Sequence, residues 1–221
     1  MKKLTLALNA STVALSAANA NHHIGTGFYL GVHGGYGSLT GKISGFRTGG
    51  AFNTGSSDIG SGFGNIGIHG GYGWVTGCLY LGGELSYTFE NAKANSNLGG
   101  VGSLQLKRNG YARAALRGGY LFTPNTMGYI ALGGNWGKYT LRDSNAFFTP
   151  AVAGSGSKNR FSFAPGVGLE TAVHKNVYLR LEYTYEFGPS VRATNGTVAN
   201  SFTNVGTVRS QSGKVGLSYK F

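Results

Sequence analysis

The stretch Val177-Tyr178-Leu179-Arg180-Leu181-Glu182-Tyr183-Thr184-Tyr185-Glu186-Phe187 carries an apolar or aromatic side chain at every odd position and its charges only at even ones. Successive side chains of a β-strand point to opposite faces, so this is a strand with one greasy face and one ionised face. The same period of two recurs along the chain. Eight segments show it, roughly 27–37, 62–74, 79–90, 109–122, 127–138, 160–172, 177–187 and 211–221. Their apolar parity contains no charge. The opposite parity holds Glu84, Glu90, Arg113, Arg117, Arg160, Glu170, Arg180, Glu182, Glu186, Lys214 and Lys220.

Alternation alone fits a soluble sandwich, apolar side in, or a membrane barrel, apolar side out. The connectors separate the two. Between segments the gaps run about 24, 4, 18, 4, 21, 4 and 23 residues, the long-loop and short-turn rhythm of an up-and-down transmembrane barrel. Segments of about 10–14 residues cover the 9–11 that a tilted strand needs to cross a bilayer. Aromatic residues gather at both segment ends, with Phe28, Trp74, Tyr120, Tyr219 and Phe221 on the turn side. Tyr36, Phe89, Trp136, Phe161 and Phe187 fall on the loop side. The expected fold is therefore all-β: an eight-stranded antiparallel up-and-down transmembrane β-barrel with four long extracellular loops and three short periplasmic turns.

Composition agrees with two unlike solvents. Of 221 residues, 40 are Gly and only 12% are charged, against about 7% and 25% in ordinary globular domains. A hydrophobic share of 41% excludes a disordered chain. One Cys excludes an internal disulfide and an all-cysteine metal site; Cys78 reads as a lone thiol beside a turn. At the N-terminus, Met1-Lys2-Lys3, the moderately apolar Leu4 to Leu15 and Ala18-Asn19-Ala20 form the three parts of a secretory signal peptide. We therefore divide the chain into a signal peptide, 1–20, and a barrel domain, 21–221.

The closing Lys214-x-Gly216-x-x-Tyr219-x-Phe221 resembles the C-terminal assembly signal of Gram-negative outer-membrane barrels. Gly27-Phe28-Tyr29-Leu30-Gly31 and 176–183 are similar to strands of the small OmpA-like and opacity-like surface proteins, a likeness that covers nearly all of 27–221. It implies the outer membrane as location, with membrane lipid, lipopolysaccharide and the barrel-assembly machinery as partners. It also implies a structural, porin-family or surface-antigen role.

If the charged parity faces inward, His33, His69, Glu84, Arg117 and Glu182 lie at similar heights, with Arg113 and Lys214 near and Glu170 and Arg180 on the same face. We read them as an interior ionic network, because buried charges must be paired. An eight-stranded interior is just wide enough for side chains to fill. A small porin-like channel is the rival reading, and a haem or glycan receptor the next. No cofactor and no metal is expected, although His33 and His69 could reach one ligand. Val32-His33-Gly34-Gly35-Tyr36-Gly37 nearly repeats as Ile68-His69-Gly70-Gly71-Tyr72-Gly73, which either a hairpin duplication or shared composition explains. Pro165 interrupts its strand and predicts a bulge.

No catalytic function is expected. His22, His23 and His174 are not placed for the rim chemistry of outer-membrane deacylases or omptin-like proteases. Gly62-x-Gly64-x-x-Gly67 opens a strand instead of a helix, the wrong context for a dinucleotide site. The chain is basic, at +12. Lys42, Arg47, Lys93, Lys107, Arg108, Lys138, Arg142, Lys158, Arg192 and Arg209 fall on the loop side, opposed there only by Asp58 and Asp143. These bases suit lipopolysaccharide phosphates and anionic host surface molecules. Scattered as they are, they do not make a nucleic-acid site.

Overall fold

The computed structural model describes residues 23–47, 53–97, 102–145, 153–197 and 200–221. The expected signal peptide, 1–20, lies outside the described residues. The chain forms eight antiparallel strands: β1 (Gly27–Arg47), β2 (Asn53–Thr76), β3 (Leu79–Asn97), β4 (Gly102–Thr123), β5 (Thr126–Asn145), β6 (Ala153–His174), β7 (Val177–Thr197) and β8 (Asn200–Lys220). Each strand pairs with its successor, and β8 returns to β1 from Tyr29↔Lys220 to Arg47↔Phe202, closing the barrel. Closure removes free sheet edges, the condition for crossing hydrocarbon with strands.

Neighbouring residues show the sidedness. Glu84 is 6% exposed and Leu85 70%. Phe28, Leu30, Val32, Ile66, Ile68, Leu81, Leu132, Val167 and Leu217 are likewise turned outward. Burying one such side chain is worth about 1.5–3 kcal/mol, so this face belongs against acyl chains. Both expected bands of aromatic residues lie on it.

Three two-residue turns, Gly77-Cys78, Pro124-Asn125 and Lys175-Asn176, mark one end of the barrel. Gly77 has φ of 57°, a left-handed conformation that favours Gly. At this end residues 23–25, just before β1, fold across the mouth. Ile24 is buried among Tyr80, Leu121, Met127, Tyr129, Ala131, Ala172 and Tyr178. Its N–H donates to the Pro124 carbonyl at 2.8 Å. The Tyr178 hydroxyl donates to the His23 carbonyl at 3.1 Å, and the Lys220 ammonium donates to that of Gly25.

The strands run 19–24 residues, far longer than expected. The added length occupies much of what read as loop: β1 and β2, for instance, stay paired out to Phe46↔Asn53. No strict apolar alternation marks a stretch such as 53–61. The bulge expected at Pro165 is not formed. Pairing of β6 with β7 skips from Phe163↔Phe187 to Gly166↔Thr184 without a change of register. Proline has no N–H to offer the ladder, and the guanidinium of Arg113 donates to the Ala164 carbonyl at 3.3 Å from inside.

Candidate functional site: the ionic interior

Alternation on β3, β4, β6 and β7 brings Glu84, Arg117, Glu170 and Arg180 together near the turn end. They form a closed ring in which each arginine meets both carboxylates. Arg117 lies 3.5 Å from Glu84 and 2.7 Å from Glu170. Arg180 lies 2.7 Å from Glu84 and 3.1 Å from Glu170. Tyr29 donates to Glu84 at 2.9 Å, and the Arg117 guanidinium sits 3.9 Å from the centroid of the Tyr129 ring. One layer further along, Glu182 accepts from Arg113 at 2.8 Å, Tyr129 at 2.9 Å and Thr184 at 3.1 Å. Lys214 donates to the Tyr111 hydroxyl at 3.0 Å.

A second cluster lies towards the far end. Arg108 pairs with Glu90 and, at 2.7 Å, with Glu186; Tyr139 donates to Glu186 at 2.6 Å. This corrects an expectation. Arg108 is 1% exposed, not part of the basic outer surface. Register shifts on both sides of β4, between Phe89/Ala92 and Arg108/Tyr111, are the cause. Below the irregularity odd residues face inward; beyond it Arg108 does, as expected where a bulge re-aims a side chain. Arg160 is a correction in the other direction, an exposed residue that the parity had turned inward.

The histidine pair occupies the wall between these layers. His33 and His69 have their Nδ1 atoms 3.3 Å apart. His33 Nε2 meets Thr88 Oγ1 at 3.0 Å, and His69 Nε2 meets Ser218 Oγ at 2.8 Å. Antiparallel pairing sets Gly31 opposite His69 and Gly67 opposite His33. Each imidazole lies over the facing glycine, where a Cβ would stand 2.6 Å from His69 Nε2 or 2.5 Å from His33 Nε2. The near-repeated motif is thus one local two-fold arrangement used twice. All four ring nitrogens already have protein partners. Among the described residues, no group of three or more His, Cys, Asp or Glu is arranged to hold a metal ion.

Among the remaining expected site residues, Lys93, Lys138 and Arg209 are exposed and Lys107 is half-buried. Lys42, Arg47, Arg142, Lys158 and Arg192 fall on the outer parts of β1, β5, β6 and β7, with side chains outside the described residues. Of the residues expected to form a C-terminal assembly signal, Lys214 is buried, while Tyr219 and Phe221 face outward. Sequence reading missed the tyrosines that complete the network, namely Tyr29, Tyr111, Tyr129 and Tyr139. Their place on the charged parity was the available signal.

The family model for the outer membrane protein beta-barrel domain matches residues 5–221. No curated protein matches the sequence. Among solved structures, the outer membrane protein OprG from Pseudomonas aeruginosa superposes with a TM-score of 0.60 at 18% identity, over 90% of this chain and 98% of that one. The outer membrane protease OmpT from Escherichia coli gives 0.51 at 9% identity, over 92% and 100%. Ail, the attachment invasion locus protein of Yersinia pestis, gives 0.41 at 14%, over 90% and 100%. At such identities a shared structure carries the fold and nothing of the chemistry. With a closed eight-stranded barrel, an outward apolar face and a family match over nearly its whole length, this chain belongs to the outer membrane protein beta-barrel domain family and resides in the outer membrane.

Proposed function

We propose that the barrel is a non-catalytic, non-conducting scaffold that presents basic surface to phosphate-bearing lipopolysaccharide and to anionic molecules on host surfaces. The carrying observation is the pairing of Lys93 directly with Lys107 across β3 and β4. Like charges opposed on neighbouring strands are destabilising unless a counter-charge joins them. Lys93 stands four residues beyond the outward Phe89, about 13 Å along the strand, which suits the headgroup level. Arg108 and the adjoining Glu90 face the interior, so the two lysines share the outer face.

Two features support the rest of this reading. Salt bridges, tyrosines and the Ile24 strap occupy the interior, which disfavours a porin-like channel. The Ser218–His69 contact resembles a nucleophile and base, but the residues are 4% and 2% exposed inside the wall, which leaves a substrate no approach. Phe221, 75% exposed at the end of β8, suits capture by the barrel-assembly machinery.

Binding of the detergent-purified protein to intact and dephosphorylated lipopolysaccharide tests the proposal. Intact lipopolysaccharide should bind more tightly, with a preference that falls as salt rises, because exposed charges are screened beyond about 10 Å at 0.1 M. A Lys93→Gln, Lys107→Gln variant should lose that preference. Equal binding by variant and parent would sink the role given to these lysines, and reproducible openings in planar bilayers would sink the non-conducting reading.

A further inference from the structure

A small cavity lies at the centre of the barrel, with room for about one water-sized occupant. Its charged lining is Arg113, Arg180 and Lys214 against Glu84 and Glu182. The two carboxylates are heavily used. Glu84 Oε2 accepts from Tyr29, Arg117 and Arg180. Glu182 accepts from Arg113, Thr184 and Tyr129.

The donors are not used up. Arg180 Nη2 and Arg113 Nε are buried without a protein partner. Lys214 is 7% exposed and gives one hydrogen bond, to Tyr111. Among the described residues its ammonium makes no ion pair. Glu182 stands opposite Lys214 across β7 and β8 and lines the same cavity, but no described carboxylate reaches the ammonium as a direct ion pair, and a buried ammonium without one is costly. Around the cavity the cations, Arg117 included, outnumber Glu84, Glu170 and Glu182 by one.

We propose that this cavity binds a monovalent halide, held by Lys214 with Arg180 and Arg113. A halide only accepts hydrogen bonds, which matches a site rich in spare donors. Water would also bring two donors, and of the four oxygens of Glu84 and Glu182 three already accept bonds, leaving Glu84 Oε1 alone to take them. Oxyanions such as sulfate are too large for the space.

Crystals of the full chain grown in sodium bromide should show an anomalous peak in the cavity. Urea unfolding of the vesicle-inserted barrel should be slower in bromide or chloride than in gluconate at equal ionic strength. At ten times the dissociation constant the folding equilibrium should shift about tenfold. A Lys214→Met variant should lose both the peak and the ion dependence. The parent protein alone suffices for the test if that variant does not assemble. No peak, together with equal unfolding in bromide and gluconate, overturns the proposal. Lys214 would then be balanced across Tyr111 by Glu90 and Glu186, which share the single base Arg108. A peak that persists in Lys214→Met would overturn the role given to Lys214.

Discussion

Replacing Arg117 by Met probes the ionic interior most directly. Arg117 is fully buried and touches Glu84 at 3.5 Å, Glu170 at 2.7 Å and the Tyr29 hydroxyl at 3.3 Å. Methionine fills much of the same space without charge. Glu84 and Glu170 are then left to share Arg180, at 2.7 and 3.1 Å. Removing one partner of a buried pair costs about 3–5 kcal/mol. Because Arg180 still serves both acids, the low end applies, about 3 kcal/mol, or roughly two orders of magnitude in the folding equilibrium. The double variant Arg117→Met, Glu170→Gln restores the charge count, and replacing both partners of such a pair is often neutral. It should therefore recover most of the loss, leaving a clear coupling in a double-mutant cycle. Urea unfolding in lipid vesicles, read by the different gel migration of boiled and unboiled barrel, measures all four proteins. A single variant within about 1 kcal/mol of the parent, or a double variant less stable than the single, would refute the buried-network account.

The glycines facing the histidines are a second test. Gly31→Ala and Gly67→Ala should each cost about 1–3 kcal/mol by overpacking, whereas Gly83→Ala, with open space around its Cβ position, should change stability little by the same assay. Leu85→Arg should cost about 2–4 kcal/mol if Leu85 lies near the bilayer midplane; an unchanged unfolding midpoint would contradict the outward orientation. Ile24→Ala should cost about 2–5 kcal/mol by emptying a packed site. In that variant, deuterium exchange should rise at Lys220 and Ala172, which adjoin the strap, before it rises at Glu182, and uniform exchange would count against a local latch.

Much of the interior was legible in advance because charge and apolarity alternate strictly wherever a strand separates lipid from a filled lumen. Glu84, Arg113, Arg117, Glu170, Arg180, Glu182 and Lys214 all stand on the charged parity, and the structure gathers them inside. Arg108 shows where the method stops. Its inward direction depends on register shifts beside Asn109 and Gly110, and a one-residue change reverses every later side chain. The outer halves of the strands escaped for a different reason. Residues such as 53–61 carry no alternation of apolar and polar side chains that would mark them as strand.

Strand number, the lipid-facing parity and the outward closing aromatics Tyr219 and Phe221 were therefore set by local chemistry, since each follows from which solvent a side chain can tolerate. Which arginine meets which glutamate, how Ile24 stops the mouth and why two histidines need two glycines were decided only by closure of the sheet. Those contacts join strands far apart in the chain, and their partners are chosen by register and barrel width, quantities that no single segment contains.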